Sequence, residues 1–389
     1  MPGRVSRSAE RHGLRSTALA VVGAVLVVLG LVLTFANARD LGPADHVVTA
    51  SSSRATLPAV GHVFVINIEN KGFRQTWGPR SQAPYLAKTL RRQGVLLSRY
   101  YGTAHHSLGN YLAQISGQGP SHATQIDCPR FTAFRTTGAD ARPGQVVGGG
   151  CVYPARVKTL VNQLQAAGLS WRGYMQDMKR GCQHPAIGHL DPWSKASKGS
   201  QYATRHNPFV YFRSIISRPH YCRTHDVGLQ HLALDLRHVG STRTLSYITP
   251  DLCHDGHDAT CADGGPGGLR AVNNWMRAWV PRILRSPAFR QDGMLVITAD
   301  ESEGVHEDSS ACCGEGPGPN ARRPGIEGPG GGRIGALVLS RYVAPGTVSD
   351  RGYNHYSLLA SIEDLFGLPR LGYARTVPRI FGADVFTAR

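Results

Sequence analysis

The stretch His62-Val-Phe-Val-Ile-Asn-Ile-Glu-Asn70 decides how the rest of the chain is read. A short run dominated by β-branched side chains reads as a buried strand, and it delivers a carboxylate and a carboxamide at its carboxyl end. Working outward, Leu169 to Met175, Leu245 to Thr249, Met294 to Thr298 and Ile334 to Leu339 repeat the buried-strand pattern. Between them lie amphipathic helix candidates at Tyr85 to Gln93, Val157 to Ala167, Gly228 to His238, Leu269 to Leu284 and Tyr356 to Phe366. The last is followed by Gly367 and Pro369, a stop signal. Such alternation predicts an α/β fold, a mostly parallel central sheet sandwiched by helices. Ligands in these folds gather beyond the carboxyl ends of the strands. Residues 137–150 and 302–332, rich in Gly and Pro, are expected to be long loops.

The amino-terminal part reads as an address. Ala18 to Ala36 is a nearly uninterrupted apolar run behind Arg4, Arg7, Arg11 and Arg15. It is long enough to cross a bilayer, with the arginines on the cytoplasmic side. The expected division is a basic cytoplasmic segment over 1–16, a transmembrane anchor or signal peptide over 17–36, a linker over 37–58 and one large domain over 59–389. Ala36-Asn37-Ala38 offers a cleavage signal, so the protein is expected outside the cytoplasmic membrane, anchored or released after cleavage near Ala38. All eight cysteines follow that segment. Sequential pairing is expected, 128 with 151, 182 with 222 and 253 with 261, while the adjacent Cys312 and Cys313 form a vicinal bridge, pair elsewhere or stay free. The spacings lack paired zinc knuckles.

The formal net charge of +17 favours anionic partners such as phosphorylated substrates, lipid headgroups or nucleic acid. Only six residues are Lys, so the charge is almost wholly Arg and is read first as a general basic surface, not as a specific nucleic-acid site.

Five stretches carry chemistry. Glu69-Asn70 and Asp300-Glu301 follow two buried strands, and carboxylates held close together repel unless a cation lies between them. His105-His-Ser-Leu-Gly-Asn110 places Ser107 just ahead of a helix beginning near Leu108, where free N–H groups and the helix dipole suit a phosphate and a serine alkoxide. Pro250-Asp-Leu-Cys-His-Asp-Gly-His-Asp258 and Asn354-His-Tyr-Ser cluster His and Asp, residues that hold metals or move protons. Taken alone, Ser107 reads better as an ordinary helix cap, His105 and His106 are ambiguous, and either His-containing stretch also reads as a polar turn.

In that order, HVFVINIENKGF, HHSLGNYLAQISG, PDLCHDGHD, TADESEG and NHYSLLASIEDLFGLPRLG resemble the bacterial phosphoesterase family of secreted acid phosphatases and phosphatidylcholine-type phospholipases C, a branch of the alkaline-phosphatase-like superfamily. The resemblance covers roughly residues 60–373. It implies an alkaline-phosphatase-like fold, a divalent metal held by Glu69, Asn70, Ser107, Asp300 and Glu301, a nucleophilic Ser107, a phosphoryl-holding His257, and His355 near the metal. The oxygen ligands point to Ca²⁺, Mg²⁺ or Mn²⁺, and nearby histidines admit Zn²⁺. Two departures stand out: Lys71-Gly72 follows Glu-Asn where the family has a small residue and Ser, and His254 takes the place of an Asn. The expected activity is hydrolysis of phosphate monoesters, with a phospholipid-cleaving phospholipase C as runner-up. A catalytically inactive surface protein that binds anionic polymers is the reading from another class. The chain lacks both a sulfatase modification motif and a G-x-S-x-G elbow around Ser107.

Overall fold

Strand β1 is His62–Ile68, and every residue after His62 is buried. A computed structural model describes residues 57–387, and within it β1 lies at the middle of an eight-stranded sheet. The other strands of that sheet are β2 (Val95–Tyr101), β5 (Trp171–Met175), β6 (Asp226–Gly228), β7 (Leu245–Thr249), β8 (Gly293–Ala299), β9 (Ala336–Ser340) and β10 (Val348–Asn354). A two-stranded ribbon, β3 (Arg135–Thr136) and β4 (Gly148–Gly149), stands apart. The sheet order is β10-β2-β9-β8-β1-β7-β5-β6. β1 pairs in parallel with β7 and β8, and β9 alone runs against its neighbours β2 and β8. All seven residues of β8 and all five of β7 are buried, so both faces of the sheet are covered. This is the mostly parallel α/β architecture that the strand alternation predicts.

Three of the five expected helices form. Gly268–Arg285 and His355–Leu365 are where the sequence places them, and Leu160–Ala166 starts behind Thr159, whose side chain accepts a hydrogen bond from Asn162 N. Three corrections are needed. Tyr85–Gln93 is a π turn followed by a 3₁₀ turn, and 228–238 breaks into a 3₁₀ turn and the short helix Leu232–Asp235. Strands β2, β6 and β10 are not foreseen, because β6 has only three residues and β10 carries polar residues on its exposed edge. The segment 137–147 is irregular, as expected, and connects β3 to β4 at 148–149.

Residues 302–332 are irregular, as expected, yet they are tightly held. Gly331 N donates to Gly102 O and Gly102 N donates to Gly332 O, both at 2.9 Å. A methyl group on Gly331 would lie 2.1 Å from Ala104 O, and one on Gly102 would lie 2.9 Å from Asp300 O, so only glycine permits this approach. The three sequential disulfides form as expected, and Cys312 pairs with Cys313. The apolar segment 18–36 and the linker up to residue 56 lie outside the described residues; among those described, no helix is long and apolar enough to cross a membrane.

Candidate active site

Register alone brings the first two acids together. β1 and β8 are neighbours with Ile68 opposite Ala299, so Glu69 and Asp300 leave the sheet side by side. Asn70 turns away in the left-handed region, with φ of 47°, a conformation Asn tolerates better than most side chains. Its backbone N–H donates to Asp300 Oδ1 at 3.0 Å, and Glu301 N–H donates to the same oxygen at 2.8 Å. The turn after β7 closes from the other side, where Glu69 N donates to Asp255 O at 2.8 Å.

Ser107 is the first residue of the helix Ser107–Ser116, one position further in than the sequence suggests. Its hydroxyl donates to Glu69 Oε1 at 2.7 Å. Asp127 Oδ1 accepts from Leu108 N at 2.9 Å and so ties down that helix end. Asn110 braces the preceding turn, its Oδ1 accepting from Thr103 N at 2.8 Å and Ala104 N at 2.9 Å.

Two site residues come from a 3₁₀ turn, Thr204–His206, that sequence reading passes over. His206 Nε2 stands 2.8 Å from Glu69 Oε2, its Nδ1 is 3.7 Å from Asp255 Oδ2, and its ring stacks on Tyr111. The Arg205 guanidinium is 3.8 Å from Glu69 Oε1 and 3.7 Å from Asp127 Oδ2. No strand leads into this turn to flag it. Asp255 does lie in the quoted His-Asp turn, but nothing there distinguishes it from its neighbours before burial is known.

Four buried carboxylates, Glu69, Asp255, Asp300 and Glu301, therefore share one region. Burial pushes Glu69 up, but His206 and Arg205 outweigh it and hold Glu69 well below the usual carboxylate range. Burial and the Glu69 charge push Asp255 well above it, and burial with Glu69 and Glu301 does the same to Asp300. Glu301 is raised by burial and by Asp127. Burial also opposes protonation of His105 and His206. Asn70 Oδ1, Asp255 Oδ2 and Asp300 Oδ2 are buried without a hydrogen-bond partner. An unmet buried acceptor costs about 1–3 kcal/mol, so several of them converging beside an ionised Glu69 fit a hard cation. Ligand atoms of Glu69, His206 and Asp255 all lie within 4.8 Å of one another.

The expected residues divide accordingly. Glu69, Asn70, Ser107 and Asp300 are joined directly or through one another. Glu301 is adjacent, with one carboxylate oxygen engaged by His105 Nδ1. His355 lies behind the acids: its Nε2 donates to Asp300 O at 2.5 Å, and Nδ1 accepts from Tyr100 OH at 3.1 Å and Gln114 Nε2 at 3.2 Å. Burial lowers its pKa to about 4, so it is neutral. His257 is at the rim, its side chain 43% exposed and 3.2 Å from Asp258, while its backbone N donates to Asp255 Oδ1. Lys71 Nζ is paired with Glu303 at 3.1 Å. Lys71, His257 and Glu303 line a cavity of about 490 Å³ beside the acids.

A family model described as the phosphoesterase family matches residues 69–369, from the first site acid to beyond His355. The chain belongs to the phosphoesterase family. This phosphoesterase is 24% identical to the phosphatidylinositol-3-phosphatase of Mycobacterium tuberculosis over 91% of its own length and 92% of the relative's. It is 24% identical to the phosphate-repressible acid phosphatase of Penicillium chrysogenum, covering 92% and 72% of the two chains. A Kluyveromyces lactis protein named "Probable acid phosphatase" is 23% identical over 79% of the phosphoesterase, which spans 59% of that relative's length. A solved structure from Vibrio parahaemolyticus, described as a protein in the alkaline phosphatase superfamily, aligns at 14% identity with a TM-score of 0.47, over 85% of this chain and 73% of its own.

Proposed function

We propose that this phosphoesterase hydrolyses phosphoric esters, phosphomonoesters foremost, with Ser107 as the nucleophile. The observation that carries the reading is the Ser107 hydroxyl, the first residue of a helix, donating at 2.7 Å to a Glu69 that stays ionised among three further buried acids. Glu69, Asn70, Asp300 and Asp255, with His206 and Ser107 beside them, have the donor chemistry to hold one divalent cation, and Glu301 is at hand. When bound, such a cation lowers the pKa of the serine hydroxyl and offsets negative charge on phosphoryl oxygens.

The chain's own groups do the remainder. The O–H of Ser107 already points at Glu69, which orients the oxygen for attack on phosphorus. Arg205, pushed above its ordinary pKa because Glu69 and Asp127 outweigh the cost of its burial, is a permanent positive charge beside the nucleophile for the equatorial oxygens. His257 at the rim is placed to hold the phosphoryl group as it enters. Attack gives a phosphoseryl group and releases the alcohol; water then frees phosphate and restores the hydroxyl. His355 does not face the reacting atoms and acts by fixing the Asp300 backbone.

Four disulfides support action outside the cytoplasm, since such bonds persist in oxidising compartments. Ser107→Ala should remove p-nitrophenyl phosphate hydrolysis while the circular dichroism spectrum and Tm stay unchanged. An alanine variant with near-normal turnover would mean that another group attacks phosphorus. Elemental analysis of the purified protein identifies the cation.

A further inference from the structure

The walls of the 490 Å³ cavity are continuations of the site loops. Lys71 follows Glu69 by two residues, Glu303 follows Glu301 by two, and His257 follows Asp255 by two. Gly256 and His257 of the lining follow Asp255 directly, so the cavity adjoins the acids. A methyl group on Gly256 would be 3.0 Å from Val272 Cγ2, 3.5 Å from Glu69 O and 3.6 Å from Lys71 Cγ. Arg80 and Arg270 complete the charged lining, and Glu303 is the only acid among the lining residues. Glu303 is also the ion-pair partner of Lys71, which leaves the two arginines without an opposing charge inside the cavity.

We propose that this cavity is a subsite for a second phosphate on the substrate, so that the preferred substrate is a polyol or sugar carrying a phosphate group besides the one that is cleaved. The proposal rests on the reading of the neighbouring acids and Ser107 as a phosphoric-ester hydrolase. The volume suits a sugar-phosphate body, and the excess of cations over acids suits an anionic group additional to the phosphate that is cleaved. Lys71, one of this chain's departures from its family's pattern, lines the cavity.

The test compares fructose bisphosphate with fructose monophosphate, and a phosphatidylinositol monophosphate in phosphatidylcholine vesicles with p-nitrophenyl phosphate. The wild-type chain should turn over the bisphosphate about tenfold better than the monophosphate in kcat/KM, through KM. Arg80→Ser combined with Arg270→Ser should erase that preference and leave p-nitrophenyl phosphate unchanged. Loss on the vesicles alone assigns the second phosphate to a lipid headgroup; loss on the soluble bisphosphate alone assigns it to a free sugar phosphate. Equal rates of wild type and double variant on every substrate would overturn the subsite. A second arm titrates fructose bisphosphate into Ser107→Ala protein by calorimetry, with and without the two arginine changes. Undiminished binding in the triple variant also overturns the subsite. If the wild type releases nothing from p-nitrophenyl phosphate with any divalent cation, the hydrolase reading falls, while the calorimetry still decides the cavity.

Discussion

At the scale of single residues, Asp255 separates holding a cation from holding the fold. Its carboxyl is pushed well above the ordinary range by burial and by Glu69, which favours the protonated form when no cation is bound, and Asn matches that form in shape and charge. Asp255→Asn should therefore equal the wild type in Tm when a chelator is present. With a saturating divalent cation the wild type should gain about 2.7 kcal/mol at a hundredfold excess over Kd, and the variant should gain much less. Glu69→Gln removes both the ionised acid and the partner of Ser107, and kcat should fall by about a thousandfold or more. Stopped assays with metal-replete protein check this; a variant within tenfold of the wild type would remove Glu69 from the mechanism.

At the scale of elements, the helix His355–Leu365 carries a second buried acid whose cost depends on pH. Glu363 is buried, one oxygen accepts from Leu371 N, and burial raises its pKa to about 9. The folded-state value exceeds the unfolded one, so the proton is retained on folding. Below the ordinary Glu range both states are protonated and nothing is lost. As pH rises from there towards 9, the unfolded state ionises and the native state loses up to about 1.4 kcal/mol of stability per pH unit. Glu363→Gln should match the wild type in Tm near pH 4 and exceed it increasingly towards pH 8; parallel Tm curves would show that Glu363 is ionised in the fold. What could be read in advance also differs by element. β1, β7 and β8 were legible because burial on both faces leaves an unbroken apolar run, and the strand-end rule then pointed to Glu69 and Asp300. β10 is hidden by its edge position, which leaves Asp350 and Arg351 exposed. Arg205 and His206 are hidden because a 3₁₀ turn has no periodicity, and only tertiary packing brings it to Glu69.

At the scale of the whole molecule, the disulfides enclose the parts of the site that secondary structure does not support. Cys182–Cys222 closes the segment bearing Arg205 and His206, and Cys253–Cys261 closes the turn bearing Asp255 and His257. Replacing Cys182 and Cys222 together by Ser should cost about 3 kcal/mol in denaturant unfolding. It should also weaken cation binding more than the same change at Cys128 and Cys151, whose loop carries none of these groups. Equal effects of the two replacements on cation affinity would mean that the sheet alone positions His206.

The contact between Gly102 and Gly331 is made by main chain on main chain. Such a contact does not itself depend on side-chain identity, so the approach of this segment to the carboxylates it borders is set by the absence of side chains where the two backbones meet. The cost falls on the glycines of the segment and its partner, Gly325, Gly328, Gly330 and Gly332 as well as Gly102 and Gly331, where an added carbon would meet backbone within 3 Å. At Gly102 or Gly331 a single added carbon acts like a wedge, driving the segment off Ala104 or Asp300 and disturbing the approach to Ser107 without altering any residue that reacts.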